Sequence, residues 1–211
     1  MFFENGKASV SELEKYFACP FAHFVNFGLG IKEKQQSSFR AIDVGDILHE
    51  LAEKYLKNLV SGNEKKPQNI LDEILKDEKY NLEDNKIIIR VLKSESERIC
   101  SALKKEYESS SFKPTYFEMW YGEKGKVGRL NIDENVGIEG KIDRVDICGD
   151  KLRVIDYKTG AIDAKASELY YGKKIQLLTY LCALEKLGKR PVASLYFPLH
   201  NSFFCCKQYF V

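Results

Sequence analysis

The chain has 211 residues, of which 44% are hydrophobic and 30% charged, with a formal net charge of +2. That balance fits a globular domain with a real core and excludes a disordered or collagen-like chain. No apolar run approaches the roughly 18 residues of a membrane span, the first residues lack the pattern of a secretory signal, and the six cysteines show no disulfide-scaffold spacing. The expectation is a cytoplasmic protein with most thiols reduced and no membrane partner.

In chain order, Ser9-Val10-Ser11-Glu12 reads as a capping box that opens a short helix through about Phe17, and Cys19-Pro20 ends it. The aromatic and apolar stretch 21–29 is expected to pack, and 32–40 reads as a loop. Val44, Leu48, Leu51, Tyr55 and Leu59 recur at helical spacing, so a helix is predicted over 42–60, closed by Ser61-Gly62-Asn63. A weaker helical pattern follows over 67–80, and another long helix is predicted over 86–107, with Ile87, Val91, Ile99 and Leu103 on its apolar side. Region 61–110 carries no evident chemistry and reads as a helical insert or cap. The period then becomes alternating over 115–121, 128–132, 136–148 and 151–157, all predicted strands. A helix is expected over 164–187 and a last strand over 192–198. Helices, then an antiparallel meander, a helix and another strand indicate one α/β domain over 1–211. Its central mixed sheet is flanked by helices, with 111–200 holding the sheet and a flanking helix.

The segment 136–160 is the most informative. Cys148-Gly149-Asp150-Lys151 fits a two-residue hairpin turn. The resulting register sets Ile147 opposite Leu152, Val145 opposite Val154 and Asp146 opposite Arg153, so apolar meets apolar and minus meets plus. It also sets Asp143 opposite Asp156, with facing Cβ atoms about 5 Å apart. Two carboxylates so placed, each continuing an apolar face, repel each other and are costly to desolvate. A divalent cation such as Mg²⁺ or Mn²⁺ answers both problems. Lys158 lies two residues beyond Asp156 and therefore on the same face, where an ammonium can stabilise charge on an attacked phosphate. A structural ion-pair network among the three is the plainer alternative.

His49 falls at the edge of the apolar stripe of its helix and is a candidate ligand, although a half-buried surface histidine has the same pattern. Glu53, one turn on, is a candidate supporting group, while Asp46 and Glu50 read as solvated. Gln176 and Tyr180 are four apart and share a helix face. Gln176 can orient Lys158, and Tyr180 can contact a backbone or stack on a base. Lys173, Lys174 and Arg190 are candidate phosphate contacts.

Gly45-Asp46-Ile47-Leu48-His49, Gly140-Lys141-Ile142-Asp143-Arg144-Val145-Asp146, Val154-Ile155-Asp156-Tyr157-Lys158-Thr159-Gly160 and Gln176-Leu177-Leu178-Thr179-Tyr180 stand in an ordered series. The series resembles the RecB-like nucleases of the PD-(D/E)xK superfamily, most nearly the C-terminal nuclease domain of the AddB component of AddAB-type helicase–nucleases. The flanks Tyr16-Phe17-Ala18-Cys19-Pro20-Phe21, Tyr170-Tyr171-Gly172 and Leu195-Tyr196-Phe197-Pro198-Leu199 are similar to that component too. The resemblance implies a restriction-endonuclease-like fold and metal-dependent hydrolysis of DNA, of single-stranded ends in recombinational break repair, alongside a helicase–nuclease partner subunit. It implies His49, Asp143, Asp156 and the Tyr157 carbonyl as metal ligands, Lys158 as the group that positions water, and Gln176 and Tyr180 as supports of the site and the strand.

Relatives carry a [4Fe–4S] cluster held by one early and three late cysteines. Cys19 matches the early one as a remnant. Cys205-Cys206 does not have the spacing of the late set, so a complete cluster is not expected within these residues. A second reading follows from that gap: a DNA-binding or scaffolding module of a helicase–nuclease whose cutting is latent.

Overall fold

A computed structural model describes residues 6–31, 41–77, 80, 86–160, 162, 165–199 and 208–209. The expected loop over 32–40 and the cysteine pair at 205 and 206 lie outside them. Strand β1 (Lys7–Ser9) leads into helix α1 (Val10–Ala18), which starts at the expected capping box. The Glu12 N–H donates to Ser9 Oγ at 3.1 Å, and the Ser9 N–H to the Glu12 carboxylate at 3.4 Å. Cys19 ends α1 and Pro20 opens the single turn α2 (Pro20–His23), which runs into a π-turn over Phe24–Gly28.

Helices α3 (Ala41–Val60), α4 (Pro67–Ile74) and α5 (Lys86–Ser109) follow. Helix α4 is shorter than the periodicity suggests. The strands are β2 (Lys113–Tyr121), β3 (Leu130–Asn131), β4 (Gly137–Cys148) and β5 (Lys151–Lys158). Helices α6 (Ala166–Tyr170) and α7 (Gln176–Leu184), with a 3-10 turn at Glu185–Leu187, lead to β6 (Arg190–Pro198) and the short β7 (Gln208–Tyr209). The single helix expected over 164–187 is thus two. Gly172 sits at φ +73°, a left-handed geometry that ends α6, and the Lys173 N–H closes back on Glu168 O at 2.8 Å.

Strand β4 is the spine of a mixed sheet. It pairs in parallel with β1 and antiparallel with β2, β3 and β5, while β5 runs parallel to β6 and β6 antiparallel to β7. The α6–α7 segment makes the crossover that a parallel β5–β6 pair requires. Helices cover both faces of the sheet, which is the restriction-endonuclease-like α/β arrangement. On one face Ile47, Leu48, Leu51 and Leu56 of α3 pack with Ile99 and Leu103 of α5 against Ile155, Tyr157 and Phe197. On the other, Leu13 of α1 and Tyr180, Ala183 and Leu184 of α7 pack against Met119, Ile142, Val145, Leu152 and Val154.

The hairpin has the expected register. Cys148 pairs Lys151 around Gly149 at φ +59°, and Asp146, Val145 and Ile147 meet Arg153, Val154 and Leu152. The Asp146–Arg153 pair belongs to a larger buried network. Arg144, fully buried, donates to Asp146 from Nε at 2.6 Å and Nη2 at 2.7 Å, and to Glu106 of α5 at 2.7 Å. Arg153 donates to both acids as well. The network ties the long helix to the two central strands.

The stretch 21–29 does not pack as expected. Phe21, Phe24, Phe27 and Leu29 are all exposed, and the side chain buried there is His23, whose Nε2 lies 3.3 Å from Glu12 Oε1. A four-residue helix and a π-turn are too short to fold an apolar stripe back onto the sheet.

Candidate active site

The β4–β5 ladder ends at Arg144 opposite Ile155, so Asp143 and Asp156 are the next residues across from one another. Val154, two residues before Asp156, lies in the α7-side core, which puts Asp156 on that side of the sheet by strand alternation. Ile142 and Val145 both lie in that core, so alternation is broken in β4 at Asp143, which meets His49 of α3. Asp156 is 2% exposed, and its Oδ2 lies 2.6 Å from Lys158 Nζ. Asp143 is part-buried, and its Oδ2 accepts the Tyr157 N–H at 2.8 Å. Burial pushes both acids up to about 6. The charge of Glu118 adds to the rise at Asp143, and Asp143 adds to that at Asp156, while Lys158 opposes it at both.

Helix α3 brings His49 to the pair from the opposite layer. Its Nδ1 stands 3.5 Å from Asp143 Oδ2, and its ring meets the Tyr157 ring edge to face at 5.6 Å. Burial lowers its pKa, so the imidazole is neutral near pH 7 with a nitrogen lone pair to offer. Gly45, one turn earlier, lets the helix lie close to the end of β5. A Cβ there would already touch Thr159 Oγ1 at 3.4 Å, so the contact leaves little room for a longer side chain pointing the same way.

From the other side, α7 fixes Lys158. Its Nζ donates to Gln176 Oε1 at 2.8 Å, and Gln176 Nε2 donates to the Tyr180 hydroxyl at 2.7 Å. The start of α7 is held in turn by Glu14 of α1, whose Oε1 accepts the N–H groups of Ile175 and Gln176 at 2.7 and 3.0 Å. This places a carboxylate at a helix N-terminus, where backbone N–H groups lack partners. Tyr180 is 5% exposed and its ring packs on Tyr121 at 6.0 Å, so it supports Gln176 from the core and has no open face for a base. Lys173 and Lys174 lie in the turn between α6 and α7, exposed to solvent. Arg190 begins β6, with its N–H bonded to Asp150 O, at the hairpin end away from the acids. Glu53 pairs with Lys57 on its own helix at 2.5 Å rather than with the acids. Cys19 is a free, exposed thiol between α1 and α2.

Glu118, like Glu14, is a group that the sequence pattern does not single out. Phe117 and Met119 pair with Arg144 and Ile142, which sets Glu118 across from Asp143 on the other flank of β4. Its φ is +49°, a strained value for a residue with a Cβ, and the strand slips phase there: Phe117 packs with one core and Met119 with the other. Lys141 pairs with it. An open cleft of about 860 Å³ adjoins His49 and Asp143, lined also by Asp46, Glu50, Glu53, Glu118, Lys54, Lys57 and Lys141. The carboxylate oxygens are hard donors that suit Mg²⁺ or Mn²⁺, and the neutral imidazole beside them is a borderline donor. Among the described residues no three His, Cys, Asp or Glu side chains are gathered closely enough to hold a metal ion as they stand.

A family model described as the PD-(D/E)XK nuclease superfamily matches residues 7–203. The chain is similar to the B component of the ATP-dependent helicase/deoxyribonuclease of Acetivibrio thermocellus, at 36% identity over 88% of this chain and 18% of that protein. It is similar to the components of the same name from Listeria welshimeri, at 32% identity over 96% of the chain, and Clostridioides difficile, at 31% over 94%. It spans 18–20% of the length of these relatives. Among the described residues no helix is long and apolar enough to cross a membrane. With acids on two neighbouring strands, a lysine beside one of them and a family match running almost the whole length, the chain belongs to the PD-(D/E)XK nuclease superfamily.

Proposed function

We propose that this chain hydrolyses phosphodiester bonds of DNA, acting as an exonuclease on single-stranded ends during recombinational break repair, in a helicase–nuclease assembly of the cytoplasm. The observation that carries the reading is the Asp143–Asp156 pair, two largely buried acids held well above the ordinary carboxylate range beside a neutral His49 and a fixed Lys158. Such a pair is costly to keep ionised without a cation.

His49, Asp143, Asp156 and the Tyr157 carbonyl would hold one Mg²⁺ or Mn²⁺. When bound, the ion supplies a more acidic water and neutralises charge on the attacked phosphate. The protein's own groups do the rest. Lys158, held by Asp156 and Gln176, presents its ammonium to the attacking oxygen and to the charge that develops on phosphorus. Gln176 keeps that ammonium from swinging, and Tyr180 fixes the orientation of the amide. Asp143 stays aligned through the Tyr157 N–H.

The test is degradation of single-stranded DNA with Mn²⁺ by the wild type, Asp156→Ala and Lys158→Ala. Both variants are expected to lose at least a hundredfold in rate; equal activity in all three overturns the reading. The second reading, a latent DNA-binding module, draws on the contacts that Asp143 and Asp156 already make with Tyr157 and Lys158. It predicts salt-dependent DNA binding with no metal-dependent cutting.

A further inference from the structure

The turn between α6 and α7 carries two strongly exposed rings. Tyr170 is 85% exposed and Tyr171 64%, and the two meet edge to face at 5.3 Å, a contact that covers at most one face of one ring. The next residue, Gly172, rests on the ring of Phe17 in α1, where a Cβ would come within 2.8 Å of the ring carbons. Phe17 meets Tyr16 edge to face at 5.7 Å, and both are exposed. A row of rings therefore runs from the α6–α7 turn onto α1. Lys173 and Lys174 follow in the same turn, exposed and with no ion pair among the described residues.

The row is fixed relative to the acid site. Tyr171 precedes Gln176 by five residues, at most about 18 Å of chain. Glu14, three residues before Phe17, clamps the start of α7 through Ile175 and Gln176. Exposed rings interleaved with free ammonium groups match one nucleic-acid strand, whose bases stack on aromatic faces and whose phosphates attract lysine. A protein partner would also cover the rings, but lysine is depleted at such interfaces.

We propose that Tyr170, Tyr171 and Phe17, with Lys173 and Lys174, form a stacking platform that grips the unpaired bases of the strand entering the acid site, and so selects single-stranded over duplex DNA. This deepens the nuclease reading and rests on it for the strand's destination. In a duplex the base faces are stacked on one another and closed to the rings.

The experiment measures binding of fluorescein-labelled oligothymidylate, of the same length with abasic sites, and of a matched duplex. Asp156→Asn is present throughout to suppress cutting. The Tyr170→Ala/Tyr171→Ala pair is expected to weaken single-strand binding about tenfold or more and to leave duplex binding unchanged. Tyr170→Trp/Tyr171→Trp retains the affinity. The abasic strand binds the parent weakly and loses nothing further in the alanine pair. Lys173→Ala/Lys174→Ala lowers the slope of log affinity against log salt by roughly 1.4.

The platform is overturned if the alanine pair binds oligothymidylate within twofold of the parent, or loses normal and abasic strands alike. It is also overturned if the tyrosine changes alter self-association or capture of a protein partner while DNA affinity stays the same. Cleavage by the protein with intact Asp156 separates the two proposals. Binding that depends on the tyrosines without any cleavage sinks the nuclease reading alone. Cleavage with tyrosine-independent binding sinks the platform alone.

Discussion

Replacing Asp143 with asparagine should stabilise the metal-free protein while removing its activity. The carboxyl is displaced from its ordinary 3.8 to about 6, chiefly by burial and against the help of the Tyr157 N–H. A displacement of that size corresponds to about 3 kcal/mol of destabilisation once the acid is ionised. Part of that cost is shared with Asp156, and the asparagine oxygen can still accept the Tyr157 N–H. A net gain of about 1–3 kcal/mol is expected, on the order of 5 °C in melting temperature for a chain of this size. The folded acid holds its proton more tightly than the unfolded one. The advantage of Asp143→Asn should therefore be absent near pH 4, open as pH rises to about 6, and stay flat above about 7. Thermal melts by circular dichroism in EDTA from pH 4.5 to 8 check this. Added Mg²⁺ should then raise the melting temperature of the wild type and not of the variant. An Asp143→Asn protein less stable than wild type at pH 8, or an offset independent of pH, would refute the reasoning.

Two other changes probe what surrounds the pair. Arg144→Ala leaves Asp146 buried beside Arg153 and Glu106 with its main partner gone, so chemical denaturation should show a loss of about 3–5 kcal/mol. Gln176→Ala frees the Lys158 ammonium while leaving it next to Asp156; kcat should fall roughly tenfold to a hundredfold with KM little changed, and Gln176→Glu should restore part of it.

The legible parts of the site were those encoded within a few residues. Gly149 and the alternating apolar pattern sufficed to set the β4–β5 register, whose ladder stops at Arg144 opposite Ile155, one residue short of Asp143 and Asp156. Helical spacing alone placed Gln176 beside Tyr180, and the ordered motifs raised His49 above a plain surface histidine. Glu118 escaped because residues 122–136 separate β2 from β4, and no turn fixes a register across so long a connection. Glu14 escaped for a related reason: the helix start that it caps lies 161 residues away. Tyr180 was read as a flank residue open to DNA because a helical wheel gives a face without saying what covers it. The break at Gly172 was hidden within a helical pattern, since a glycine there is as compatible with a weak helix as with a turn.

The acids lie between two separate apolar compartments. His49 arrives from the layer of α3 and α5, whereas Lys158 is steadied from the layer of α1 and α7, and the sheet lies between the two. The site therefore reports on the alignment of both slabs at once. Sliding either by about 1 Å, through a change far from any acid, would cost on the order of a hundredfold in rate. A ligand that touches both would act as a rivet, and its arrival should slow amide exchange in α3 and α7 together.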